Sequence, residues 1–226
     1  MSEDVSPISR ELAARELARR NYIDYLAYVN GESWKKTRFA RYIAGQIQKF
    51  IEENTGNAYD ILLLETPPQH GKSMTVTEAL PAWCLGKHPD WRVIIASYND
   101  ETAERFARRN REKVEQFGGN LFNVGIGGIN RATEFELKPA RGAIPGRLIS
   151  RGMLAGITGN PANLLLIDDP IKNRTEADSG ARRQQIWSEW LPNCKEYDMR
   201  GDYDLEVYFD DENGEIWVPV KKNNIV

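Results

Sequence analysis

At 226 residues the chain is long enough to bury one sizeable α/β core with some decoration. Its 30 Lys and Arg against 33 Asp and Glu leave a net charge of −3, so bulk electrostatics give no pull toward nucleic acid, and contact with a polyanion has to come from local basic clusters. Two cysteines, Cys84 and Cys194, make no disulfide framework, no apolar stretch approaches a membrane span, and the opening MSEDVSPISRELAARELARR lacks a signal-peptide core; the expectation is a cytoplasmic protein with no membrane partner.

In chain order, residues 9–30 have helical periodicity, with Leu12, Leu17, Tyr22, Leu26 and Tyr28 among the apolar or aromatic members. A second helix is expected over 34–53, with Trp34 and Phe39 read as core. Together these form an N-terminal helical segment, residues 1–57. The core, residues 58–191, opens on a strand over 61–65 and a helix over 73–85. A strand over 92–97 and a helix over 100–117 follow. Residues 118–159 are glycine-rich and read as short strands, ATEFELKP and GRLIS, joined by turns. An apolar strand over 163–168 and a helix over 178–190 complete the core. Alternating strands and helices argue for an α/β fold with a mostly parallel, doubly wound sheet.

The run from Ile61 to Ser73, ILLLETPPQHGKS, is an apolar strand emptying into a phosphate-binding loop. The pattern G-x-x-x-x-G-K-[ST] is closed by Gly71, Lys72 and Ser73, while Thr66 stands where the first glycine would be. Gly71 lets the backbone approach phosphates, Lys72 sets a compact cation against the β and γ oxygens, and the Ser73 hydroxyl suits a magnesium ion. The nucleotide-contacting loop is therefore read as Thr66, Pro67, Pro68, Gln69, His70, Gly71, Lys72, Ser73 and Met74, with ATP and Mg2+ as cofactors. A chance G-K-S in a tight turn is the plain alternative, and the strand before and helix after weigh against it.

A phosphate loop needs a carboxylate partner for the metal, and NLLLIDDP, residues 163–170, supplies one. Four apolar residues in a row fit a central parallel strand covered on both faces, with acids at the carboxyl end where such sheets bind ligands. Asp168 is assigned to the magnesium, and Asp169 or, further on, Glu176 to orienting the attacking water; Lys72 completes the catalytic set.

TPPQHGKS, then LPAWCLGKHPDWRVIIASYNDETAERFARRNREKVE, then GMLAGITGNPANLLLIDDPIKNRTEADS, in that order, resemble the amino-terminal ATPase part of the large terminase subunit of tailed phages over roughly residues 10–190. The resemblance implies a P-loop NTPase that drives double-stranded DNA into a prohead in the host-cell cytoplasm. It also implies a ring of identical subunits, a portal protein and a small terminase subunit as partners. Many members carry arginine where this chain has Gln69, and another near Asn160. A substitute charge is available from Arg105, Arg108, Arg109 or Arg111, although four arginines on one helix also read as a solvated face paired with Glu101, Glu104 and Glu112. Other P-loop NTPases, a helicase or a kinase, are the alternative within the motif.

Past Trp190 the family would continue through a coupling motif to a nuclease domain, neither of which is in this chain. Residues 192–226 are acidic and aromatic, and read as a β-hairpin around Asp211, Glu212, Asn213 and Gly214. One reading is a truncated or diverged reading frame whose tail is an inert hairpin capping the sheet. The other is an intein-like opening, in which Cys194 is the nucleophile of trans-splicing with a complementary C-terminal fragment.

Overall fold

The computed structural model of the chain describes residues 6–53, 60–64, 66, 71–153, 162–171, 178–181, 184–185, 208–209 and 216–217. The helix expected over 9–30 is two helices. Ser6 caps α1 (Pro7–Arg20), its hydroxyl accepting the Ser9 N–H at 3.2 Å, and Pro7 sits in the first turn where its missing N–H leaves no bond unmade. α1 stops where Asn21 turns extended, and α2 (Tyr22–Asn30) runs to Gly31. α3 (Arg38–Glu52) begins at Thr37, whose hydroxyl accepts the Ala40 N–H at 3.1 Å. Its inward stripe is Ala40, Ile43, Ala44 and Ile47; Phe39 falls beside that stripe and is 36% exposed, so it is not the core residue expected, whereas Trp34 packs partly buried against the core.

Five strands make the main sheet: β1 (Arg92–Ser97), β2 (Ile126–Arg131), β3 (Glu134–Leu137), β4 (Arg147–Gly152) and β5 (Leu164–Asp168), in the order β2-β3-β4-β1-β5. β1 pairs in parallel with β4 and β5, while β3 runs antiparallel to both β4 and β2. The fold is α/β, but the sheet is mixed rather than mostly parallel. The antiparallel ribbon arises because only the turn around Ala132 separates β2 from β3, too short for a helical crossover.

β5 is an edge strand among the described residues, and Ile167 is 38% exposed, so it is not the central strand covered on both faces that its apolar run suggested. Residues 61–64 join no described strand either. Leu62 and Leu64 pack against the core while Ile61 and Leu63 are exposed, a one-sided alternation instead of two-sided burial.

One face of the sheet carries Val93, Ile95, Leu148, Phe135, Leu137 and Leu164 into the main core. α5 (Leu80–Lys87) and α6 (Asp100–Lys113) contribute to that core, with Trp83, Leu85 and Phe106 fully enclosed. Asn99 caps α6 by accepting the Thr102 N–H at 2.9 Å. A π-turn over Val114–Gly118 and the short α7 (Gly119–Phe122) bring the chain back under α1 and α2. On the opposite face Ile94 and Ala96 form a smaller cluster with Met153, Ala162 and Leu165. Among the described residues no helix is long and apolar enough to cross a membrane.

In the tail, β6 (Tyr208–Phe209) and β7 (Ile216–Trp217) pair antiparallel, Tyr208 opposite Trp217, on either side of the expected turn. The 178–190 helix is described only at residues 178–181 and 184–185, where residues 178, 180, 181, 184 and 185 are helical.

Candidate phosphate and metal site

The site forms where α4 (Lys72–Thr75) meets the carboxyl end of β5. Gly71 starts α4 from a left-handed conformation, φ 76° and ψ 21°. Among the described residues no atom beyond its chain neighbours lies within 4 Å of where a Cβ would sit, and it is the backbone dihedral that asks for glycine there. The Gly71 carbonyl then accepts the Thr75 N–H at 2.9 Å, closing the single turn that presents Lys72 and Ser73.

Both side chains reach the paired acids. Lys72 Nζ lies 2.5 Å from Asp169 Oδ1 and 3.5 Å from Asp168 Oδ1, and the Ser73 hydroxyl donates to Asp168 Oδ2 at 3.0 Å. Asp168 is buried; Asp169, one residue on, is 62% exposed and takes a positive φ of 45°. Partial burial works to lower the Lys72 pKa, but the hydrogen bond to Asp169 and the charge of Asp168 outweigh it and hold the ammonium above the ordinary lysine value. Segments 97 residues apart are thereby joined through opposite charges.

Magnesium asks for oxygen donors and takes few of them from protein. Asp168 and Ser73 supply such oxygens, and Ser97 adds a third close by. Ser97 stands opposite Asp168 in the β1/β5 register, and its hydroxyl is buried with no hydrogen-bond partner among the described residues. An orphaned hydroxyl beside a buried carboxylate fits a hydrated hard cation. Ser97 was not singled out in the sequence; its place at the end of a strand with the buried pattern of β1 was the available signal.

The helix expected over 73–85 is broken. α4 ends at Thr75, Val76 takes φ −102° and ψ −76°, and α5 starts at Leu80. The cause is Pro81, which has no N–H to offer the Thr77 carbonyl four residues back. Asn110, fully buried on α6, replaces that bond: its Nδ2 donates to the Thr77 carbonyl at 2.8 Å and to that of Phe106 at 2.9 Å, and its Oδ1 accepts the Ala82 N–H at 3.1 Å. The Thr75 carbonyl, also released by the break, accepts the hydroxyl of Tyr22 from α2.

Of the other expected residues, Thr66 is partly buried and Met74 is 45% exposed. Pro67, Pro68, Gln69, His70, Glu176 and Cys194 lie outside the described residues. The α6 arginines are engaged elsewhere: Arg105 faces Glu78 at 3.9 Å, Arg108 and Arg109 face Glu112 at 3.9 and 3.4 Å, and Arg111 donates to Asn130 and to the Arg131 carbonyl.

No curated protein matches the chain. Residues 171–220 match the family of integron-associated effector binding proteins, a short stretch lying mostly outside the described residues. Residues 63–193 match the family described as terminase large subunit, T4likevirus-type, N-terminal, a span of more than half the chain that contains α4, β5 and Lys72, Ser73, Ser97, Asp168 and Asp169. The chain belongs to that family, the N-terminal part of terminase large subunits.

Proposed function

We propose that this site binds ATP with magnesium and hydrolyses it as the ATPase portion of a viral DNA-packaging terminase, driving double-stranded DNA into a prohead. The observation that carries the reading is the convergence of Lys72 and Ser73 on Asp168 and Asp169 at the end of an apolar strand. Lys72 meets the β and γ phosphate oxygens, Ser73 and Asp168 hold the metal, and the remaining loop residues, Thr66 to Met74, wrap the triphosphate. Magnesium, when bound, neutralises charge on the phosphate oxygens. Asp169 or Glu176 orients the attacking water. Family membership supports the wider assignment: a ring of subunits, the portal protein, the small terminase subunit and DNA as partners, at work in the host cytoplasm.

The test is titration of the chain with ATP and Mg2+ beside Lys72→Ala, together with phosphate release. Losing a charge-assisted contact to phosphate costs about 1.5–3 kcal/mol, so affinity should drop roughly 10- to 150-fold with the fold retained. Equal affinity in the two proteins would remove Lys72 from the site. Stimulation of hydrolysis by DNA or portal supports the packaging motor; a requirement for an acceptor substrate supports a kinase instead.

One observation favours a second reading of the tail. The family match stops at Asn193, the residue before Cys194, and a hairpin follows. In trans-splicing the Cys194 thiol attacks the Asn193 carbonyl, the peptide C–N bond breaks, the thioester C–S bond forms, and the amine takes the proton. Mixing the chain with a complementary fragment and weighing the products tests it. A ligated species lacking residues 194–226 supports splicing, and unchanged masses count against it.

A further inference from the structure

Resting on the reading of α4 as the phosphate-binding turn, we infer that Tyr22, in the N-terminal helices, is a positioning residue for that turn. A four-residue helix cannot hold itself, because nucleation fixes several residues for a single bond and only tertiary contacts compensate. α4 has its internal bonds from Thr75 and Val76 back to Gly71 and Lys72, and the break at Val76 leaves the Thr75 carbonyl without a helical partner. Tyr22 supplies that partner. Its hydroxyl donates to the Thr75 carbonyl, while the Thr75 N–H donates to the Gly71 carbonyl, so one residue, Thr75, links Tyr22 to the left-handed glycine ahead of Lys72.

Tyr22 is itself immobilised. It is fully buried, its ring lies 6.2 Å from Tyr25 and 5.1 Å from Trp83, and its N–H donates to Gln48 Oε1 at 2.8 Å. Gln48 in turn donates to the Arg20 carbonyl at 3.0 Å, and Trp83 Nε1 donates to that of Ala18. α1, α2, α3 and α5 thus meet around Tyr22, through its backbone N–H and its ring, and its hydroxyl ends on the turn bearing Lys72 and Ser73. Through Tyr22 the N-terminal helices set the geometry of the turn that bears the phosphate-contacting residues.

The experiment uses the full chain and compares Tyr22→Phe with Ile47→Val, a truncation in the same buried layer that leaves the Thr75 bond in place. Tyr22→Phe should weaken ATP binding about two- to tenfold, the range of one neutral hydrogen bond. Ile47→Val should lower the melting temperature and leave ATP affinity unchanged. Gln48→Ala, which frees the Tyr22 amide from a partly buried position, should weaken binding in the same direction by less. The inference is overturned if Tyr22→Phe binds ATP like the wild type, or if Ile47→Val loses as much affinity as Tyr22→Phe. Lys72→Ala, run in parallel, separates the two levels: if it too binds normally, the phosphate reading has failed, and if it alone loses affinity, only the role of Tyr22 has.

Discussion

Lys72 holds Asp169 at 2.5 Å, closer than the 3.5 Å that separates it from Asp168, although Asp169 is the more exposed of the two acids. Lys72 is therefore already paired with a carboxylate, and on the function proposed above a nucleotide has to displace Asp169 before the triphosphate can take its place.

From this follows the first prediction. An ion pair with one partner this exposed is worth about 0.2–1 kcal/mol, so Asp169→Asn should tighten ATP binding about 1.5- to 5-fold. The same change should slow hydrolysis, since the proposed water-orienting carboxylate is gone. Calorimetric titration and phosphate release measure the two effects separately; weaker binding in the variant would show that Asp169 is no competitor.

Asp168→Asn tests the buried member of the pair. The amide preserves shape and an acceptor for Ser73 but removes the charge proposed to hold magnesium. ATP affinity without metal should be little changed or improved, whereas magnesium-dependent hydrolysis should fall by at least tenfold. Wild-type turnover in this variant would exclude Asp168 as the metal residue.

Asn110→Ala removes one side chain and leaves two buried backbone groups, the Thr77 carbonyl and the Ala82 N–H, without their partners. Each orphaned group costs about 1–3 kcal/mol, and their sum of about 2–6 kcal/mol corresponds to roughly 4–24 °C in melting temperature for a chain this long. Thermal unfolding followed by circular dichroism reads it directly. A shift under 2 °C would mean that water takes over both bonds.

His88 gives a pH dependence with a definite sign. Burial, together with the neighbouring Lys87 charge, holds its imidazole below the ordinary histidine pKa, and the ring stacks on Trp91 with centroids 4.1 Å apart. Between the depressed folded pKa and the unfolded value of about 6.5, the unfolded chain binds the extra proton, so stability rises with pH across that window. Stability should be at its full value above pH 6.5 and decline as the pH drops below it. In His88→Gln the component of that slope above the carboxylate range should vanish, as denaturant titrations between pH 5 and 8 would show.

Much of this architecture could be read from residue order because local signals agreed with tertiary ones. Arg92–Ser97 is a strand with the expected bounds, and Leu164–Asp168 ends on its acids as its apolar run implied. The Gly71 to Ser73 tripeptide meets those acids because strand and turn each end at the same edge of the sheet. What escaped was set by long-range partners. The break in residues 76–79 was signalled by Pro81, but the rescue by Asn110 comes from another helix, and no local pattern marks a buried asparagine as a latch. Tyr22 was read as one apolar member of a periodic helix; its hydroxyl gained meaning only once the Thr75 carbonyl was freed. β2 was hidden because Gly127 and Gly128 lower strand propensity, although a Cβ at Gly127 would meet the Leu137 carbonyl at 2.7 Å and so glycine is what lets the ribbon close. Strand order cannot be deduced from element order, which is why the antiparallel edge turned a doubly wound expectation into a mixed sheet.

The latch on the broken helix also fixes an order of events at the ribosome. Asn110 lies 28 residues beyond the Ala82 amide that it secures, and Asp168 lies another 58 residues on. A nascent chain that has emerged only as far as α5 has its lysine and serine but lacks the clamp that shapes their surroundings, and it gains the acidic counterpart last of all. On the function proposed above, nucleotide competence therefore waits for β5 to emerge, after the helices around Tyr22.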